Sequence, residues 1–141
     1  MTISTLAVYD MNTFLAADST LQSIAGKTMN FYPIVGYGEE TPPFVVYYVN
    51  PAIPSVESHW NRYDNIIYSI YDSDIDRLLK LTERFVYLLG RGDAISESGG
   101  VTGSNTRIFS SFLTDSSMEE AIEKDGWFKM DLSFTVYYVA S

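Results

Sequence analysis

The sequence predicts an α+β fold: a single domain over residues 1–141, with a mostly antiparallel sheet flanked by two main helices and interrupted by a long flexible Gly/Ser-rich loop. Three observations carry this. The chain closes on a long alternating run, in which Phe128, Met130, Leu132, Phe134, Val136 and Tyr138 fall on one face and Lys129, Asp131, Ser133, Thr135 and Tyr137 on the other. Period two over such a length marks a strand with one buried face. Two stretches far apart in the chain show apolar residues at helical spacing instead. Between them lie two β-branched and aromatic runs, residues 44–49 and 63–71, that are apolar on both faces.

Each element has a local cause. Ile3, Leu6, Ala7, Met11, Phe14 and Leu15 recur at helical spacing and predict a helix over residues 4–17. Asp18 can cap a second, short helix over residues 19–25, and Gly26 can end it. Met29, Asn30, Phe31 and Tyr32 read as a short strand stopped by Pro33, and Gly36, Gly38, Pro42 and Pro43 mark a loop. The run 44–49 follows as a strand ended by Pro51 and Pro54, then the strand 63–71. Both want cover on two sides, from helices or from a partner. Asp72-Ser73-Asp74 opens the second main helix, with Ile75, Leu78, Leu79, Thr82, Phe85, Val86 and Leu89 as its apolar stripe and Gly90 at its end. Residues 91–105 are rich in glycine and serine and read as a long loop, the kind that is usually functional or disordered. Residues 107–113 resume strand composition. Residues 117–124 fit either a short helix or a strand. The Asp125-Gly126 turn signal favours a hairpin into the closing strand.

Composition narrows the function. Apolar content is 46% and charged content 19%, as in a folded domain. The 11 Tyr and 8 Phe suit strands and assembly surfaces, because tyrosine joins a flat apolar body to a polar tip. Net charge is −9, which gives no electrostatic reason to grip nucleic acid or an anionic membrane, although it favours solubility and would suit the wall of a channel that DNA slides through. There are no cysteines, which removes disulfides and thiolate chemistry. No apolar run approaches the roughly 20 residues of a membrane helix, and no signal-peptide pattern stands at the N-terminus. The expectation is a soluble protein that stays where it is made.

Nothing in the sequence announces catalysis. His59 is the single histidine, beside Trp60 in a proline-rich connection and without a nucleophile motif. Asp72, Asp74, Asp76 and Glu83 share spacing with a calcium loop, but Arg77 stands where the turn glycine belongs and Lys80 where a ligand belongs. A capped helix start explains those acids better. Arg91-Gly92-Asp93 is an adhesion tripeptide of a kind that arises by chance in such loops. The glycines from Gly99 to Gly103 lack the lysine of a phosphate loop, and Glu119-Glu120 reads as a solvated acidic pair. No enzyme activity, cofactor or metal is expected.

The order of features resembles one family. A helical start precedes Phe31-Tyr32-Pro33. Then come Pro42-Pro43-Phe44-Val45-Val46-Tyr47, the strand 66–71, a long helix, a loop, and the closing run from Asp125-Gly126-Trp127 to Tyr138. This is similar to the tail-terminator or tail-completion proteins of long-tailed bacteriophages. The resemblance implies a non-enzymatic subunit that forms a ring, commonly a hexamer. Such a ring caps the tail tube, stops its growth, and presents a docking surface to the head while DNA passes through its lumen. It implies as partners further copies of the chain, a tail-tube protein and a head-completion or connector protein, with no membrane. The place implied is the head-proximal end of the virion tail, after synthesis in the host cytoplasm. Alternatives are a head-tail connector or tail-tube subunit, or a small-ligand-binding domain.

Interface energy in an assembly of this kind is expected from aromatic anchors. The candidates are Tyr47, Trp60, Trp127 and Tyr137, on or beside strands. Related proteins have a loop that orders on assembly. The counterpart here is residues 91–105, with Arg91, Asp93, Glu97, Gly99, Gly100, Gly103 and Asn105.

Overall fold

The computed structural model describes residues 7–33, 41–51, 61–90, 101–103, 106–120 and 126–140. In chain order these form α1 (Ala7–Ala16), α2 (Ser19–Ala25), β1 (Phe31–Pro33), β2 (Phe44–Pro51), β3 (Asn61–Asp72), α3 (Ile75–Phe85), β4 (Val101–Thr102), β5 (Thr106–Glu120) and β6 (Phe128–Ala140). The six strands make one sheet in the order β1-β2-β3-β6-β5-β4. Only the β1–β2 pair is parallel. The α+β class with a mostly antiparallel sheet is therefore as the sequence predicts.

The helices cover one side of the sheet. The alternation of β6 places Leu132, Phe134, Val136 and Tyr138 fully inside, opposite Ile66, Tyr68 and Ile70 of β3. Met11 and Leu15 of α1 and Leu78, Leu81 and Phe85 of α3 close over them. Tyr68 is the hub. Its ring meets Phe31, Phe85 and Phe134 at 6.0, 5.8 and 6.1 Å, and its hydroxyl donates to Asn12 Oδ1 at 2.8 Å. Burial, and secondarily Tyr47, pushes its phenol well above the usual tyrosine value.

Helix α2 starts and stops as predicted. The Asp18 carboxylate accepts from Leu21 N–H at 2.9 Å, and Gly26 takes the left-handed conformation at φ 75° that a side chain would resist. Asp18 also receives both guanidinium N–H groups of Arg84, at 2.8 and 3.0 Å, and so ties α2 to α3. That hydrogen bonding is the main cause holding the Asp18 carboxyl below its ordinary value. A depressed carboxylate stabilises the fold above its unfolded pKa and loses that contribution as pH falls through the folded one. Asp18→Asn keeps a capping side chain but loses the charge. It is expected to cost about 1 kcal/mol at neutral pH. Urea titrations should show that difference vanishing below the ordinary carboxylate range.

The acids at the head of α3 are structural. Asp74 caps it, accepting from the backbone N–H groups of Asp76 and Arg77, while the buried Asp72 holds the Arg77 guanidinium through two bonds of 2.6 and 2.7 Å. The Arg77 guanidinium therefore engages the Asp72 carboxylate that a calcium loop would need as its first ligand. The helical stripe differs from the one read in the sequence. Leu78, Leu81 and Phe85 are buried, whereas Ile75 and Leu79 are exposed. The helix also does not run unbroken to Gly90, because Val86–Gly90 forms a π-helical turn. The wider turn lets both Leu88 and Leu89 face inward.

Three strand expectations need correction. Pro33 lies within β1 rather than beyond it, as an edge strand permits. Residues 107–113 and the described part of 117–124, residues 117–120, are not separate elements, since β5 runs unbroken from Thr106 to Glu120 with register shifts after Ile108 and Leu113. Those shifts break the alternation that would have shown one strand. Pairings such as Glu119 with Lys129 confirm the hairpin up to Glu120, and residues 121–125 lie outside the described residues. The stretch 91–105 also carries β4, so it is not all loop. The start of β5 is held by Asp10 of α1. The buried Asp10 carboxylate accepts from the Thr106 backbone N–H at 2.7 Å and from its hydroxyl at 2.6 Å. Gly103 N–H donates to the Thr106 carbonyl, and a Cβ at Gly103 would overlap the Asp10 carboxylate. This latch joins α1 to the start of β5 across 96 residues of chain.

Candidate functional site

The side of the sheet opposite the helices divides along the strands into three zones. At one end Phe44 and Tyr71 stack at 5.0 Å, and Trp127 meets Phe44 edge-on at 5.4 Å. Tyr32 completes this small second core. The middle is polar: Ser69 donates to Asp131 and Thr135 donates to Asn65 at 2.9 Å, while Lys129, in register with Tyr71 at the second-core end, bridges Glu119 at 3.0 Å. A shallow trough crosses this zone between Tyr48 and Asn50 on one side and Asp115 on the other, floored by Asn65, Ile67 and Ser133.

At the far end stand three aromatic rings that no helix among the described residues covers. Tyr63 and Tyr137 are register partners on β3 and β6, with ring centroids 5.9 Å apart, and Phe112 of β5 meets Tyr137 at 6.4 Å. They are 47%, 39% and 45% exposed. Rigid strands hold the row, so little ordering cost is left for a partner to meet. A surface of this type can exclude water against another protein.

The sequence candidates fall in different places. Tyr137 stands in the exposed row. Trp127 is half-buried in the second core. Tyr47 is half-buried and packs against the main core on the helical side. Burial, then Tyr9, pushes its phenol above the ordinary value. Trp60, Arg91, Asp93, Glu97, Gly99, Gly100 and Asn105 lie outside the described residues, as does His59. Gly103 belongs to the Asp10 latch. Tyr63 and Phe112 were missed. Each is visible as an aromatic in a strand, but only the register brings them beside Tyr137. Among the described residues no group of three His, Asp or Glu could hold a metal, and no helix is long and apolar enough to cross a membrane.

No protein-family model and no curated protein sequence matches the chain. Its fold is similar to that of a chain in a solved structure of the virion of a native gene transfer agent (GTA) particle. The TM-score is 0.63 at 14% identity, over 99% of this chain and 95% of that one. The likeness is one of fold, and it extends over nearly the whole of both chains.

Proposed function

We propose that the chain is a structural subunit of a phage-like virion, and within that class a tail terminator. Copies close into a ring, a hexamer by family resemblance, that caps the tail tube, ends its growth and receives the head, with DNA passing through the lumen. Its partners are its own copies, the tail-tube protein and the head-completion protein, and it has no catalytic role. The observation that carries this reading is the near full-length likeness of fold to a virion chain. The exposed Tyr63–Tyr137–Phe112 row supports it, since a uniform aromatic face suits a repeated subunit contact.

Negative-stain images of the purified chain test the reading. Closed rings with a central pore are expected. Long tubes would instead favour a tube subunit, and a monomer at every concentration would contradict self-assembly. In the same assay Tyr137→Ala is expected to raise the concentration for half-assembly by about tenfold or more, with the melting temperature unchanged.

A further inference from the structure

Strand β5 buries a serine and exposes the phenylalanine beside it. Ser111 is fully buried, whereas Phe112 stands in the exposed aromatic row. Burial of a phenyl ring is favoured over burial of a hydroxymethyl group, so this arrangement has a cause outside the two side chains. Two register shifts bracket residues 110–113, which pair Ser110 with Tyr137, Ser111 with Val136, Phe112 with Thr135 and Leu113 with Phe134. Continuing the register of either flanking stretch would set Phe112 opposite Phe134 or Val136, on the helical side, and turn Ser111 outward. One contact favours the observed register. The Ser111 hydroxyl donates to the Leu89 carbonyl at 2.7 Å in a buried site. Leu89 belongs to the π-helical turn Val86–Gly90, and the carbonyls of a closing turn have no partner within the helix. The same turn abuts the segment at Gly90, where a Cβ would come within 3.3 Å of Leu113 Cβ.

We infer that Ser111 is a positioning residue of the aromatic face: its bond to Leu89 holds residues 110–113 in the register that presents Phe112 beside Tyr137. The inference rests on the reading that copies of this chain assemble through that face. Bulges re-aim side chains, and here two register shifts isolate four residues whose facing is decided as a unit. In either neighbouring register the Leu89 carbonyl loses its donor and Phe112 leaves the surface, so the buried hydroxyl and the exposed ring stand or fall together. Tyr63 and Tyr137 lie on β3 and β6, which pair without a register shift. Phe112 is therefore the member of the row whose place depends on the contact behind it. The π-helical turn reaches the opposite side of the sheet through consecutive residues, Ser111 pointing toward the helices and Phe112 away from them.

The chain has no cysteine, so one introduced thiol reports the register. Ser110 lies on the outer side opposite Tyr137, and a slip in either direction turns it inward. Ser110→Cys and Ser110→Cys/Ser111→Ala are compared, as dilute unassembled protein below the melting temperature, for their rate of reaction with an aromatic disulfide reagent. Loss of the Ser111 hydroxyl is expected to slow labelling about tenfold or more, because the thiol moves under the helices. Light-scattering mass over a concentration series then compares the wild type, Ser111→Ala, Phe112→Ala and the Ser111→Ala/Phe112→Ala double variant. Each single variant is expected to raise the half-assembly concentration about tenfold, and the double variant no further, since both changes remove the same ring from the face. A role confined to stability would lower the melting temperature of Ser111→Ala and leave the thiol rate unchanged, and an unchanged thiol rate would overturn the inference. A slowed rate with wild-type assembly would uphold the register role of Ser111 and contradict the row as a subunit contact. A wild type that never assembles would overturn the assembly reading, and the thiol rates would still decide the register.

Discussion

Replacing Tyr68 with alanine is expected to lower the unfolding free energy by about 4 kcal/mol, the cost of emptying a fully buried aromatic site. Three aromatic neighbours from β1, α3 and β6 rest on this one ring, so the void cannot close by a local shift. Tyr68→Phe keeps the ring and removes only the donor to Asn12, and should cost about 1 kcal/mol. Denaturant melts of the pair separate packing from hydrogen bonding. Equal losses in the two variants would contradict the packing role.

The second large effect belongs to the Asp10 latch. Asp10→Ala leaves the Thr106 N–H and hydroxyl without their buried acceptor and is expected to cost about 3 kcal/mol. Gly103→Ala attacks the same point from the other side, forcing the carboxylate away from Thr106, and should cost about 2 kcal/mol. The two share one mechanism, so the double variant should lose markedly less than the sum. Full additivity in thermal or urea melts would mean that the positions act separately.

How much of this was legible in the sequence depended on burial. Strand β6 is buried on one face along its length, so its alternation named its inward residues correctly. The caps at Asp18, Asp74 and Gly26 were legible because they act within a few residues of chain. Strand β5 was read as two pieces because its second half is exposed on both faces: Thr114, Asp115, Ser116 and Ser117 carry no apolar signal and follow a register shift. The α3 stripe was misplaced by a different cause. Ile75 and Leu79 are apolar yet face outward, and only the position of the sheet reveals that Leu81 is the inward residue. Likewise Tyr137 could be named from its place on the outer face of β6, whereas its neighbours Tyr63 and Phe112 depend on cross-strand register, which no local pattern encodes. The Asp10 latch joins residues too distant for any spacing rule.

Among the described residues the helices cover one side of the six-stranded sheet. The other side is closed locally by Phe44, Tyr71 and Trp127 and is polar in its middle, which leaves the Tyr63–Tyr137–Phe112 row for a neighbour.

The most direct measurement of that claim is solution mass by light scattering, comparing the wild type with the Tyr63→Ala/Tyr137→Ala double variant at matched concentrations. A ring-sized wild type beside a monomeric variant of unchanged melting temperature is the predicted result. A variant with the same mass and the same concentration dependence as an assembled wild type would contradict the role of the aromatic face.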